Sequence, residues 1–222
     1  MSGGAEVEIG LVETIRARDG RVPWLAWHLE RLRNAIRSLG LAEPAADLSE
    51  LVRIAAGSGD RVVRLELHGG RVEISTRDVG PTGPIGICVS AEVHQPYRHK
   101  TTRREQFGRA LAEARRRKFD DALLLTADGC VAEGTAWNMF WWENGTLVTP
   151  AEELGVLPGV GRSRIMQLLP VHEERAPLQR MAGRGAFLVN AVRGVVEIRG
   201  LDGVALPSDP RTAELSRTFW PD

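Results

Sequence analysis

Hydrophobic and polar positions alternate in some stretches of the chain and follow helical spacing in others. The stretch "VEIGLVETIRARDGRV" alternates up to Asp19-Gly20, which predicts a strand that enters a hairpin. The next stretch, "LAWHLERLRNAIRSLG", has helical spacing and predicts a helix that ends at Gly40. A shorter helix is predicted over "LSELVRIAA", and then a hairpin over "RVVRLELHGGRVEIST" that turns on Gly69-Gly70. The stretch "PIGICVSAEV" predicts a further strand.

A connection, "HQPYRHK", comes next in the chain. The capping pattern over Thr102-Arg103-Arg104-Glu105 predicts a helix that begins just after Lys100 and runs to Arg117 or its neighbours. Further strands are predicted over "DALLLTADGCVAEGTAWNMFWWENGTLVTP", with breaks at Asp128-Gly129 and Asn144-Gly145. Both breaks have residues that tolerate the positive φ of a tight turn.

The last part of the chain has two informative stretches. "LPGVGRSRIMQLL" predicts a glycine-rich loop that leads into a helix. "GAFLVNAVRGVVEI" predicts two short strands around residues 190–194. Taken together, the elements predict an α+β protein with two lobes. We expect a small N-terminal α/β domain over residues 1–94, a connection over 95–100 and a larger, β-rich C-terminal domain over 101–222.

Composition narrows the class of protein. Apolar residues make up 43% of the 222 residues and charged residues 26%, which is ordinary for a globular protein. The formal net charge is zero, so the basic excess of a nucleic-acid-binding protein is missing. No apolar run approaches the roughly 18 residues of a membrane span, and the N-terminus lacks a signal-peptide pattern. Two cysteines provide neither a disulfide framework nor metal-ligand spacing. We expect a cytoplasmic protein that acts on a small molecule, without nucleic acid, membrane or metal.

Lysine is rare in this chain. Lys and Arg total 29, and only Lys100 and Lys118 are lysines. Unlike arginine, lysine can lose its proton and attack a carbonyl group as an amine. Nearby cations such as Arg98, Arg103 and Arg104 would favour the neutral amine of Lys100. A single lysine is usually a surface residue, and Lys118 in "RRRKF" fits the solvated end of a helix.

Two stretches have the residues to bind a phosphate. In "LPGVGRSR", Gly159 and Gly161 allow a ligand close to the backbone, and the helix start offers free N–H groups. The same letters also suit an ordinary tight loop, and they lack the Lys-Ser/Thr of a Walker A loop. In "AWHLERL", His28 and Arg31 lie three apart on a helix. Arg31 could bind a phosphate or a carboxylate of its own chain.

Glu133 lies in "CVAEGTAWNMF", a predicted buried strand, and a buried carboxylate needs a cationic or hydrogen-bonded partner. That partner could simply be an arginine of the chain. The combination of residues is more informative, because pyridoxal 5'-phosphate needs an amine, phosphate ligands and a carboxylate that keeps its ring nitrogen protonated.

The sequence resembles the class IV aminotransferase family, the fold-type IV pyridoxal phosphate enzymes, from Gly10 over nearly the whole chain. The residues that match the family pattern are Glu133, Thr135, Asn138, Met139, Phe140, Leu147, Thr149, Leu157, Gly159, Val160 and Arg162.

The resemblance implies a D-amino acid aminotransferase-like fold with pyridoxal 5'-phosphate between the two domains. Lys100, 33 residues before Glu133, corresponds to the catalytic lysine that is joined covalently to the cofactor. "HLERL", "PGVGR" and "FLVNAVRG" match the family's phosphate-binding segments. The cofactor-binding residues implied are Arg31, Lys100, Glu133, Asn138, Val160, Gly161, Asn190 and Ala191. The family also implies a homodimer.

Within the family, "HKTTRRE", "LVETIRA" and "NAVRG" resemble the 4-amino-4-deoxychorismate lyases, which form 4-aminobenzoate and pyruvate for folate synthesis. An aminotransferase for D- or branched-chain amino acids is the alternative. The segment that usually precedes "GLVET" is missing here, which bears on specificity and activity and leaves a non-catalytic homologue as a third possibility. Thr14, Arg98 and Arg193 are candidates to contact substrate carboxylate or hydroxyl groups.

Overall fold

The protein divides into two compact units. The computed structural model describes residues 9–81 and 83–221. The first unit consists of the chain up to Val79 together with His99–Arg103. The second consists of Gly80–Arg98 and the chain from Arg104 onward. None of the helices in the described residues has the length and apolar character needed to span a membrane.

The first unit has a three-stranded antiparallel sheet in the order β1-β2-β3, with two helices. Its elements are β1 (Leu11–Arg18), α1 (Leu25–Leu39), α2 (Leu48–Ala56), β2 (Asp60–His68) and β3 (Arg71–Asp78). The hydrophobic core combines residues of the strands and of both helices, among them Ile15, Leu32, Val52 and Leu65. The apolar stripe predicted for α1 is therefore its buried face.

Most local predictions for the first unit are confirmed. The first helix ends at Gly40, which has a left-handed φ of 62°. The second hairpin turns on Gly69-Gly70 as predicted. The first hairpin prediction is wrong, although Asp19 and Gly20 do form a turn. After a single bridge between Arg18 and Arg21, the chain passes Pro23 and enters α1, so β1 pairs with β2 instead.

Residues 99–103 join the first unit because their backbone pairs with β1. The Val12 N–H donates to the Lys100 carbonyl (2.9 Å), and the Thr102 N–H donates to the Gly10 carbonyl (2.9 Å). The Thr102 hydroxyl accepts from the Gly10 N–H (3.2 Å). The predicted capping box is therefore wrong: Thr102 binds Gly10, and the helix begins at Glu105 without a side-chain cap.

The second unit is a nine-stranded mixed sheet with helices outside it. Along the sheet the strand order is β10-β11-β4-β5-β6-β7-β8-β9, with β12 on β11. Strand β10 also pairs with β7, so six strands close into a ring. The elements are β4 (Ile85–Val93), α3 (Glu105–Arg116), β5 (Asp121–Leu125), β6 (Val131–Gly134), β7 (Trp137–Glu143), β8 (Thr146–Pro150), α4 (Val160–Leu168), β9 (Val171–Glu174), β10 (Ala186–Asn190), β11 (Gly194–Leu201), β12 (Val204–Ala205) and α5 (Pro210–Thr218).

Strand β4 changes the expected domain division. It was predicted inside an N-terminal domain of residues 1–94, but it pairs in parallel with β5 and β11 in the second unit. Such a central parallel strand is buried on both faces, which explains its nearly continuous apolar run. The compact units therefore differ from the predicted 1–94, 95–100 and 101–222.

Asp121 organises the turn between β6 and β7. Its carboxylate is 6% exposed and accepts four hydrogen bonds. The donors are the Ala122 N–H (2.8 Å), the Thr135 N–H (2.9 Å) and hydroxyl (3.0 Å), and Trp137 Nε1 (3.0 Å). Burial raises the pKa of Asp121 against the lowering effect of these donors. This group fixes the turn that places Glu133 and Asn138 opposite each other in the sheet.

The Asp121→Ala substitution is expected to lower the free energy of unfolding by about 2–4 kcal/mol, because it leaves buried donors of Thr135 and Trp137 without an acceptor. Urea denaturation followed by tryptophan fluorescence measures the change. Asp60→Ala is the control, because Asp60 is a half-exposed partner of Arg16 and its loss should cost less than about 1 kcal/mol. Equal losses in the two variants would contradict this assignment.

Candidate active site

The first unit contains a buried cluster of one carboxylate and two nitrogen-bearing side chains. Glu13 on β1 is 1% exposed. Arg31 grips it with two hydrogen bonds, Nε to Oε1 (2.8 Å) and Nη2 to Oε2 (2.6 Å). His28 Nδ1 lies 2.7 Å from Oε2. Helical spacing brings residues 28 and 31 to the same side of α1. Arg31 therefore binds a carboxylate of its own chain, one of the two kinds of partner expected for it.

Electrostatics couples Lys100 to this cluster. Burial alone would raise the pKa of Glu13, but Arg31 and His28 outweigh it and lower the pKa from 4.5 to about 2. The pKa of His28 is lowered, first by burial and further by the charges of Arg31 and Lys100, against the raising effect of Glu13. Lys100 is half-buried, and its charge acts on His28. Its amine therefore lies within electrostatic range of the Glu13 cluster.

Glu133 lies buried on β6 in the second unit, as predicted, with 3% of its surface exposed. Its partner is a histidine rather than an arginine. His94 Nε2 lies 2.9 Å from Oε1, and the Leu157 N–H donates to Oε2 over 3.3 Å. Within the described residues neither oxygen is bound by Lys or Arg. The carboxylate thus retains acceptor capacity for a further N–H group.

Asn138 and Glu133 bind the two backbone groups of Leu157. Asn138 Nδ2 donates to the Leu157 carbonyl (2.8 Å), while Glu133 accepts from the Leu157 N–H. A Cβ at Gly159 would lie 2.0 Å from Asn138 Oδ1, so this position requires glycine. The structure thus places Asn138 as an anchor for the loop that leads into α4.

The two predicted phosphate segments of the second unit lie in direct contact. Helix α4 begins at Val160, and the first N–H groups of a helix have no intrahelical partner. Among the described residues, no side chain caps this helix start. A Cβ at Gly161 would lie 2.8 Å from the carbonyl carbon of Asn190 and 3.2 Å from the nitrogen of Ala191. The Asn190 side chain accepts from the backbone N–H groups of residues 192 and 193 and stabilises that turn.

These groups fit pyridoxal 5'-phosphate. The first turn of α4, packed tightly on Asn190 and Ala191, is a cradle of backbone N–H groups suited to a phosphate. The residual acceptor capacity of Glu133 suits a protonated ring nitrogen. Lys100 provides the amine on a segment fixed to β1.

The positions of the three substrate candidates indicate less about their roles. Thr14 is half-buried on β1, on the opposite face from Glu13. Arg98 is exposed. Arg193 stacks on Trp137 at 4.9 Å, its Nε is buried with no hydrogen-bond partner in the described residues, and burial lowers its pKa. Of the three, Arg193 has the environment of a group that could bind an anion.

Two residues of these clusters were missed in the sequence. Glu13 could have been found, because alternation in "LVETIRAR" places its carboxylate on the same face as Leu11 and Ile15. His94 follows the last residue of β4, and nothing in the letters around it indicates that it contacts a residue 39 positions away.

Comparison with known proteins identifies the family. Residues 10–201 match the family described as amino-transferase class IV, so the chain belongs to the class IV aminotransferases. The resemblance stated from the sequence is confirmed, together with the α+β fold. Members of this family are pyridoxal phosphate enzymes.

The relatives have two different names. A "Probable branched-chain-amino-acid aminotransferase" of Synechocystis sp. is 28% identical over 115 residues, 49% of this chain and 38% of that protein. An "Aminodeoxychorismate lyase" of Bacillus subtilis is 27% identical over 187 residues, 72% of this chain and 64% of that protein. The matches thus span about four-tenths to two-thirds of these relatives' lengths. The branched-chain aminotransferase of Thermoproteus uzoniensis, solved with norvaline, has a TM-score of 0.86 at 25% identity, covering 95% of this chain and 84% of that one.

The Glu13 cluster should make stability depend on acid pH. Because the folded pKa of about 2 lies below the unfolded value of 4.5, the cluster stabilises the protein fully above pH 4.5 and loses this contribution as the pH falls toward 2. The contribution is about 3 kcal/mol, at 1.36 kcal/mol per pKa unit. Chemical denaturation of wild type and Glu13→Gln between pH 7 and pH 2 measures it.

We expect the difference between wild type and Glu13→Gln to be largest at pH 7 and to shrink as the pH falls. A difference that stays constant over this range would contradict the assignment. Glu30→Gln, on the exposed side of α1, should keep the wild-type free energy of unfolding at pH 7 and controls for the substitution itself.

Proposed function

We propose that this chain is a pyridoxal-phosphate-dependent lyase that converts 4-amino-4-deoxychorismate into 4-aminobenzoate and pyruvate. The observation that carries the proposal is Lys100, which lies on a segment fixed to β1 by backbone hydrogen bonds and within electrostatic range of His28 in the Glu13 cluster. The choice of a lyase rests on the sequence after the lysine, "KTTRRE", and on the "LVETIRA" and "NAVRG" stretches. A relative named as this lyase supports it.

Bound pyridoxal phosphate supplies an aldehyde that joins amines covalently and a ring that accepts electrons from an adjacent carbon. Glu133 would accept a hydrogen bond from the ring nitrogen and so keep it protonated. The guanidinium of Arg31, which binds Glu13 through Nε and Nη2, would contribute positive charge to phosphate binding. Val160, Gly161 and the 190–191 turn would bind the phosphate through backbone N–H groups.

Lys100 carries the proton transfers. Its neutral amine removes the proton from the ring carbon that bears the substrate's amino group. The carbon–oxygen bond to the enolpyruvyl group then breaks, and the methylene carbon of that group takes up a proton to give pyruvate. The six-membered ring becomes aromatic, which makes this step favourable. Atoms balance without an oxidant or a second substrate.

An aminotransferase is the second candidate, because relatives named as branched-chain aminotransferases match this chain as well. In that reaction Lys100 would remove the same kind of proton, and a 2-keto acid would leave. A non-catalytic homologue would need neither Lys100 nor Glu133. The homodimer and the substrate roles of Thr14, Arg98 and Arg193 stay predictions.

The lysine assignment is tested by trapping. Borohydride reduction of the cofactor-loaded protein should fix the cofactor to the peptide that contains Lys100, as peptide mass spectrometry can show. Lys100→Arg keeps the charge but should abolish labelling and lower turnover by at least about 100-fold. Lys118→Arg, at the end of α3, is the matched control and should label normally. Labelling elsewhere in wild type would overturn the assignment.

The reaction itself is tested with 4-amino-4-deoxychorismate. Wild type should release 4-aminobenzoate and pyruvate in equal amounts, and Lys100→Arg should release neither above background. Both products can be quantified by chromatography. Glutamate formation from an amino acid and 2-oxoglutarate, without any 4-aminobenzoate from the first substrate, would instead establish the aminotransferase.

A further inference from the structure

His94 is the direct side-chain partner of Glu133. Its backbone N–H donates to the Leu125 carbonyl (2.8 Å), which fixes the residue at the end of β4. Its side chain is 1% exposed, and Nε2 lies 2.9 Å from Glu133 Oε1. Nδ1 is buried and has no hydrogen-bond partner among the residues described. The imidazole is therefore held by a single side-chain hydrogen bond.

The surroundings of the ring fix its tautomer. An ionised carboxylate only accepts hydrogen bonds, so Nε2 must donate to Glu133. A proton placed on Nδ1 would be a buried donor without an acceptor, which is costly. The proton therefore belongs on Nε2, and the hydrogen bond points the Glu133 carboxylate in one direction.

The two buried glutamates have different partners. Glu13 is held bidentately by a guanidinium and also by an imidazole. Glu133 is held at one oxygen by His94 and, more loosely, at the other by the Leu157 N–H. A carboxylate offers about four lone-pair sites, so this arrangement orients Glu133 and leaves room for one more donor.

We infer that His94 is a positioning residue, which orients Glu133 through Nε2 so that the carboxylate can accept a hydrogen bond from the protonated ring nitrogen of bound pyridoxal phosphate. The inference rests on the proposed role of Glu133. Because Glu133 also binds the Leu157 N–H, and Asn138 binds the carbonyl of the same residue, the orientation of Glu133 is linked to the loop that leads into α4. Loss of the hydrogen bond should therefore weaken cofactor binding as well as turnover.

The test compares two amides of different length. In His94→Gln the side-chain nitrogen can reach the place of Nε2, whereas in His94→Asn it reaches only the place of Nδ1. We expect His94→Asn to raise the dissociation constant for pyridoxal phosphate about tenfold and to lower kcat about tenfold, with KM nearly unchanged. His94→Gln should stay within about threefold of wild type. Equilibrium dialysis of the apoprotein and steady-state kinetics measure these values.

The exposed His172→Asn is the control and should behave as wild type. Equal impairment of the Gln and Asn variants would show that His94 only fills space. Wild-type behaviour of both variants would contradict a positioning role for His94. If a His94 variant is too unstable for these measurements, nitrogen-15 NMR of the wild-type protein tests the inference. Cofactor binding should shift the His94 Nε2 resonance, and an unchanged resonance would overturn the inference.

Failure of the lyase proposal is distinguishable from failure of this inference. A wild-type protein that binds the cofactor but makes no 4-aminobenzoate would refute the lyase reaction. The dissociation constants of the Gln and Asn variants would still decide the role of His94.

Discussion

A carboxylate that leaves water must be given hydrogen-bond or charge partners, and the partners of three of the buried carboxylates hold together much of this fold. Each partner set joins segments that are far apart in sequence. Glu13 connects β1 to α1, Asp121 connects β5 to the turn between β6 and β7, and Glu133 connects β6 to the end of β4 and to Leu157. These bonds hold Arg31 and Glu133 in place, whereas Lys100 is held by backbone hydrogen bonds to β1.

The same chemical group behaves differently in the three places because its partners differ. Arg31 balances the charge of Glu13 and holds its pKa near 2, so this group is a fixed anion in the fold. Four uncharged donors surround Asp121, and burial raises its pKa. Glu133 has one imidazole and one long peptide hydrogen bond. Of the three, Glu133 is the carboxylate whose partners leave it able to accept a hydrogen bond from a ligand.

Signals from neighbouring residues predicted the helices and strands well. The predictions that failed depend on contacts between residues far apart in sequence. The first helix and the turn at Gly69-Gly70 depend on nearby residues, so the sequence was sufficient. Thr102 had the letters of a cap, but its hydroxyl binds Gly10, 92 residues away. Strand β4 was recognised as a strand, yet its apolar run does not indicate which sheet it joins.

The same difference between local and long-range information applies to the residues of the candidate site. Lys100 could be found because lysine is scarce here and its chemistry is specific, whereas His94 has meaning only beside Glu133. Arg31 was recognised as a residue that could bind an anion, but finding its partner Glu13 required knowing which face of β1 is buried. Residue types therefore indicated the chemistry, and the fold supplied the partners.

The charged groups near Lys100 bear on its proposed role as the reactive amine. Arg31 and Lys100 both act electrostatically on His28, and Glu13 is the carboxylate hydrogen-bonded to this cluster. Burial strengthens such interactions, so these groups affect one another more than they would in water. The rigid attachment of residues 99–103 to β1 keeps Lys100 beside these charges, which supports its assignment as the reactive amine.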